Sequence, residues 1–286
     1  MRQAKLHIET SKDGVKAAIY PLIHKALQDS LTESSNFYIA MSGGSLPSLL
    51  SALPQSFQTA EIDPQWCKWH VLLADERLVS SSDLDSNIKA LKEAFLDRVP
   101  IPTSQIYGID ESLLIADGEN SSRHTAIAQE YEARVFSEPI ESKRRYLVDC
   151  ALLGFGPDGH TASLFPNHQI LREHASLVAG IHDSPKPPLE RITLTMKVFN
   201  KFTKNIIFVG LGESKAPILR DIFERVHLIS GEDKASKICV VELKDATGQV
   251  HPCGMIQPIG GEGLVFVTDT DGAQALTTSQ QCCSLL

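Results

Sequence analysis

Apolar positions follow two rhythms along this chain. Val15, Ala18, Ile19, Leu22, Ile23, Ala26, Leu27 and Leu31 recur at spacings of three, four and one, the stripe of an amphipathic helix. Pro21 lies inside that stripe and either kinks the helix or marks its start. The second rhythm is a series of short apolar runs: Phe37 to Met41, Trp69 to Leu73, Leu147 to Leu153, Asn205 to Leu211 and Leu264 to Val267. Bounded by Gly, Ser, Pro or charged residues, they read as buried strands. Helices are expected from about Leu46 or Pro47, after a Ser86 N-cap with Ile88, Leu91 and Phe95 on one face, and from Arg123 to Phe136. Others are expected from near Thr161, from Ala216 to Val226 with Pro217 in the first turn, and from Gly272 to Leu276. Ile106 to Ile109 is a candidate short strand, and the Pro-rich run Ser184 to Pro188 must be extended or turned. Arg191 to Met196 alternates with period two, so Arg191, Thr193 and Thr195 share a face.

Strands alternating with helices, with no linker, repeat or charge block, predict one three-layer α/β domain over residues 1–286. Residues 279–286 are expected to be a frayed tail. The end Cys282-Cys283-Ser284-Leu285-Leu286 superficially fits a prenylation box at Cys283, but Ser284 is a poor aliphatic position and no polybasic stretch precedes it. A net charge of −8 argues against a general nucleic-acid or anionic-membrane surface, so any anionic ligand must be met by a few local cations. Six scattered cysteines without a C-x-x-C pair suggest free thiols in a reducing compartment. With no apolar leader segment and no run approaching a membrane span, the chain is expected to be soluble and cytoplasmic, without stable membrane association. The sequence leaves the oligomeric state open, with a monomer compatible with it.

Three strand ends carry candidate chemistry. The run Leu147–Leu153 stops at Gly154-Phe155-Gly156-Pro157-Asp158-Gly159-His160, where glycines permit a tight loop. Loops at the carboxyl ends of α/β strands are where ligands sit, so Asp158 and His160 stand at an expected cleft mouth, against the alternative of a glycine-rich turn with a capping Asp. Ser42-Gly43-Gly44-Ser45 after the strand at 37–41 suits an anion, although an ordinary strand–helix turn has the same pattern and the P-loop spacing is absent. Asp75-Glu76-Arg77 follows the strand at 69–73, either as site residues or as a surface ion-pair cluster. No H-e-x-x-H, G-x-S-x-G or helix-opening G-x-G-x-x-G is present, and His168, His174 and His182 lack ligand spacing, so neither a metal nor a cofactor is expected.

Six pieces in order resemble the 6-phosphogluconolactonases: SGGSLP at 42–47, ADERLV at 74–79, SN at 86–87, LLGFGPDGHTASLFPNH at 152–168, DSPKPPLERITLT at 183–195 and GESKAPIL at 212–219. HPCGMIQP is a looser match, and the usual Trp before the late Asp is replaced within LVFVTD. The resemblance implies a modified Rossmann-like αβα sandwich with a mostly parallel sheet. It also implies hydrolysis of 6-phospho-D-glucono-1,5-lactone, a small-molecule sugar-phosphate lactone, in the oxidative pentose phosphate pathway. On that basis His160 is the expected general base, and Asp158 either orients the imidazole or the water or caps the loop. Arg77, Arg191 and Lys215 are the expected phosphate anchors, with Ser42, Gly43, Gly44 and Ser45 as neutral donors. Asp75 is expected to meet sugar hydroxyls or position water, and Glu76 to pair with a cation. Backbone N–H groups of Gly43-Gly44 or of the 156–159 turn are the alternatives for the oxyanion. A related isomerase or deaminase would need a Glu where Phe165 stands, and a non-catalytic sugar-phosphate sensor is the third reading.

Overall fold

The computed structural model describes residues 2–115, 122–230, 236–259 and 263–276; the expected tail and Cys283 lie outside these residues. In chain order the described strands are β1 (Arg2–Glu9), β2 (Phe37–Met41), β3 (Trp69–Leu73), β4 (Asp75–Arg77), β5 (Val148–Gly154), β6 (Val178–Ile181), β7 (Arg191–Leu194), β8 (Thr203–Gly210), β9 (Phe223–Ser230), β10 (Ser236–Leu243) and β11 (Leu264–Asp269). The α-helices are α1 (Lys12–Glu33), α2 (Leu53–Thr59), α3 (Asn87–Ala94), α4 (Arg123–Glu141), α5 (Met196–Lys201), α6 (Ala216–Ile222), α7 (Pro252–Met255) and α8 (Thr270–Ala273). None is long and apolar enough to cross a membrane.

The main sheet has the order β3-β2-β5-β8-β11-β1-β10-β9. From β3 to β1 every neighbouring pair is parallel, and β10 runs antiparallel to both β1 and β9. This is the mostly parallel, helix-flanked sheet that the sequence predicts. Parallel strands are covered on both faces, which is why β2 and β5 are almost continuously apolar. Alternation assigns those faces. Phe37 and Trp69 turn towards α2, meeting Phe57, while Tyr38 and His70 stack on the opposite side, where the Tyr38 hydroxyl bonds Glu138 of α4. A second sheet, β4-β7-β6, is antiparallel, and Ala74 hinges it onto the main sheet by accepting from the Leu194 N–H.

Four expectations change. No helix starts at Thr161: Ala162 and Asn167 adopt positive φ, and Thr161 and Leu164 pair across a turn. After Ser45 there is a single 3-10 turn, Pro47–Leu49, and the α-helix begins at Leu53. Ile106 makes only an isolated bridge to Val71, so 106–109 is not a strand. The helix from Ala216 stops at Ile222, because Val226 is paired with Val241 in the sheet. Strands β1, β4, β6, β9 and β10 lie outside the expected runs. In β1 the buried apolar residues are Ala4, Leu6 and Ile8, set among polar neighbours of which Glu9 is itself buried, too faint an alternation to announce a strand.

Candidate active site

The carboxyl ends of β2, β3, β5 and β8 open on one cleft of about 250 Å³. It is lined by Ser42, Gly43, Gly44, Ser45, Asp75, Arg77, His160, Arg191 and Lys215, together with Asn87 and apolar residues including Phe155. Residues separated by up to 173 positions thus share one wall, and of the ten expected site residues only Asp158 does not line it. Asp158 stands behind His160 instead.

The 156–160 loop is a tight turn closed by Gly156 N–H to His160 O at 2.8 Å and Gly159 N–H to Gly156 O at 3.0 Å. A Cβ on Gly156 would lie 2.1 Å from the His160 ring, so only glycine lets the imidazole fold back over the turn. Asp158 Oδ1 bonds His160 Nδ1, and Lys186 Nζ lies 3.1 Å from Asp158 Oδ2. Nζ is also 3.1 Å from Nδ1, but a protonated Nδ1 already donates to the carboxylate, so the ammonium belongs to Oδ2. That tautomer leaves Nε2 as the lone-pair nitrogen, and among the described residues nothing bonds it. Burial holds the His160 pKa below the ordinary imidazole range, outweighing the upward pull of Asp158. Burial pushes the Asp158 carboxyl up, but the bonds and charges of His160 and Lys186 prevail and bring it to about 2. The pair is therefore a neutral imidazole oriented by an ionised carboxylate.

The cationic wall comes from the second sheet. Arg77 and Arg191 are register partners across β4 and β7, so their side chains leave the same face. Like charges directly opposite each other are unfavourable unless something anionic lies between or beside them. Arg77 donates Nη1 to Asp85 O at 2.7 Å, while its Nε, like Ser42 Oγ, is buried without a partner among the described residues. Arg191 is differently employed. Its Nε and Nη2 hold the carbonyls of Pro188, Lys186 and Pro187 at 2.9–3.0 Å, and Nη1 reaches Ser163 Oγ at 3.3 Å. Most of its fork thus clamps the 186–188 loop, whose Pro187–Pro188 bond is cis. Lys215 sits 5.6 Å over the Phe155 ring, with its pKa lowered by burial first and by Lys186 second. The N–H groups of Gly43 and Gly44 have no hydrogen bond among the described residues, whereas those of Gly156 and Gly159 are used within their own turn.

Asp75 accepts from Ser163 Oγ at 2.7 Å and lies 4.0 Å from Arg191 Nη1. Among the described residues Glu76 pairs with no cation; its hydrogen bonds come from backbone N–H groups and the Ser86 hydroxyl. It accepts the N–H groups of Asn87 and Ile88 at 2.8 and 2.9 Å, capping α3 from outside the helix. Sequence reasoning missed Lys186, Ser163 and Asn87 as site residues. Asn87, directly after the recognised cap Ser86, donates to Asp75 O at 2.8 Å. A lysine flanked by prolines in S-P-K-P-P, too rigid to be an incidental loop residue, was the available signal for Lys186. Among the described residues no three His, Cys, Asp or Glu are grouped to hold a metal.

A model of the glucosamine-6-phosphate isomerases/6-phosphogluconolactonase family matches residues 10–262. The chain is 41% identical over 207 residues to 6-phosphogluconolactonase 3 of Saccharomyces cerevisiae, covering 71% of this chain and 78% of that protein. It is 38% identical over 213 residues to the probable 6-phosphogluconolactonase 5 of Arabidopsis thaliana, covering 73% and 83%. The crystal structure of 6-phosphogluconolactonase from Trypanosoma cruzi superposes with a TM-score of 0.73 over 96% of this chain and 97% of that one, at 22% identity, a likeness of fold.

Proposed function

Because the chain belongs to the family of glucosamine-6-phosphate isomerases and 6-phosphogluconolactonases, we propose that it hydrolyses 6-phospho-D-glucono-1,5-lactone to 6-phospho-D-gluconate, with His160 as general base. The observation that carries this reading is the cross-strand pair Arg77 and Arg191 facing one cleft with an unprotonated, unpartnered His160 Nε2. A phosphate meets the first and a water the second.

Nε2 takes a proton from water as its oxygen attacks the lactone carbonyl carbon. The C1 oxygen becomes an anion, and the unengaged N–H groups of Gly43 and Gly44 are the better-supplied donors for negative charge on this wall. Collapse breaks the bond from C1 to the ring oxygen, which takes the proton back from His160 and leaves as a hydroxyl. Asp158 keeps Nδ1–H in place throughout and stabilises the imidazolium. Arg77 and Lys215, with charge to spare, bind the phosphate. Arg191 adds field while holding the loop of Lys186. Asp75, held by Ser163, is left to orient sugar hydroxyls.

Ring-opening isomerisation on the same fold is disfavoured by Phe165, whose ring lies 5.0 Å from His160 where that chemistry needs an acid. The four described cysteines are free, which supports a reducing, cytoplasmic setting, and one contiguous core supports a single domain. The test is proton release from freshly made 6-phosphogluconolactone beside ammonia release from glucosamine 6-phosphate. Lactone turnover above the spontaneous rate without ammonia is expected; ammonia without lactone turnover overturns the reading.

A further inference from the structure

The 158–160 loop is held from outside by a segment that the sequence resemblance covers only loosely. His251 Nδ1 lies 2.9 Å from the main-chain carbonyl oxygen of Asp158. A carbonyl only accepts, so Nδ1 carries the proton and donates it. Two residues on, Cys253 N–H donates to Gly159 O at 3.1 Å. His251 packs directly against Gly159, where a Cβ would fall 2.5 Å from both Cβ and Nδ1 of the histidine, and Gly159 has φ +82°. His251 Nε2 lies 3.5 Å from Asp221 Oδ2, and its side chain is only 15% exposed.

The geometry points to His251 as a positioning residue for the hydrolysis: it fixes the Asp158–Gly159 peptide, and through it the carboxylate that orients His160. This rests on the lactonase reading above. The peptide carbonyl and the carboxylate belong to the same residue, so a shift of that backbone carries Oδ1 away from His160 Nδ1. Inside the loop that peptide has one restraint, the Gly159 N–H to Gly156 O bond on its amide side; its carbonyl side is bypassed by the turn's own bonds and is held from outside by His251. Among the described residues His251 finds its hydrogen-bond and ion-pair partners in Asp158 and Asp221, neither of them a phosphate-side group. Its loss should therefore disturb the chemical step and spare binding.

The experiment compares His251→Ala and His251→Asn with the parent protein in steady-state lactonase assays and thermal unfolding. The side-chain amide of asparagine puts an N–H where Nδ1–H was. His251→Ala should lower kcat by about 10- to 100-fold with KM within about twofold, and His251→Asn should recover most of that loss. Equal kcat for parent and His251→Ala overturns the assignment, as does a fall in kcat that Asn repairs no better than Ala at matched thermal stability. If His251→Ala does not fold, His251→Phe, which keeps an aromatic ring without the N–H, takes its place: a fall in kcat that His251→Asn avoids supports the role, and a kcat equal to the parent's refutes it. A parent without lactone turnover would instead sink the proposed function, so the two failures are distinguishable.

Discussion

Gly43 stands against Asn87 so closely that a Cβ on the glycine would fall 1.8 Å from Asn87 Oδ1. The same asparagine donates Nδ2 to the Asp75 carbonyl, so one amide locks the turn after β2, the start of β4 and the start of α3. Gly43→Ala should force Asn87 off Asp75, costing ~1–3 kcal/mol of stability and about tenfold or more in kcat/KM. Thermal unfolding and initial rates check this. An alanine variant unchanged in both would contradict so tight an approach.

The His160 pKa is depressed chiefly by burial, and only neutral imidazole accepts a proton. Lactonase kcat/KM should therefore fall as pH drops through a pKa below 6.5, the ordinary imidazole value, and hold its plateau above it. His160→Ala should lose ~10²- to 10⁴-fold in kcat and with it the acid limb. A pH–rate profile of the parent, corrected for spontaneous hydrolysis, reads both. An acid limb centred well above the ordinary imidazole range would refute the neutral base.

The two arginines are expected to fail differently. Arg77 has an unspent buried Nε, so Arg77→Ala should raise KM by ~10- to 100-fold with little change in thermal stability. It should also narrow the preference for phosphorylated over unphosphorylated gluconolactone. Arg191 spends its fork on the 186–188 carbonyls, so Arg191→Ala should lower the unfolding temperature and kcat together. Identical phenotypes for the two variants would mean that this division of labour is wrong.

Burial pushes the Glu76 carboxyl up to about 7, against bonds from the N–H groups of Asn87, Ile88 and Arg77 that favour its charged form. The folded chain thus holds that proton more tightly than the unfolded chain, for which the value is 4.5. Its contribution to stability is complete below the unfolded value and lost as pH rises through about 7. Glu76→Gln cannot titrate, so its unfolding free energy should decline less than the parent's between about pH 5 and 8. Chemical denaturation at several pH values measures the slopes, and parallel curves would count against the shifted carboxyl.

Legibility followed burial. Strands β2, β3, β5, β8 and β11 are covered on both faces and therefore read as apolar runs, so the turns at their ends were visible with them. The antiparallel flank was not, because β9 carries Glu224, Arg225 and His227 between its apolar residues and mimics a continuing helix after Ile222. Glu76 was misread for a related reason. A carboxylate beside an arginine suggests an ion pair, and only the approach of Ser86–Ile88 turned it into a helix cap.

The chain alone determined which chemical groups exist and which strand ends carry them: an imidazole after β5, an acid and an arginine after β3, a glycine pair after β2. Local steric demands sufficed for that, since glycine, proline and apolar runs act over a few residues. The partners were decided by the tertiary structure alone. Lys186 meets Asp158, Asn87 meets Gly43, and His251 meets the Asp158 carbonyl across gaps in sequence that no periodicity spans. Parallel strands must be joined by crossovers, so neighbours in the sheet are distant in the chain. Only packing both sheets into one core brings those side chains within a hydrogen bond of each other.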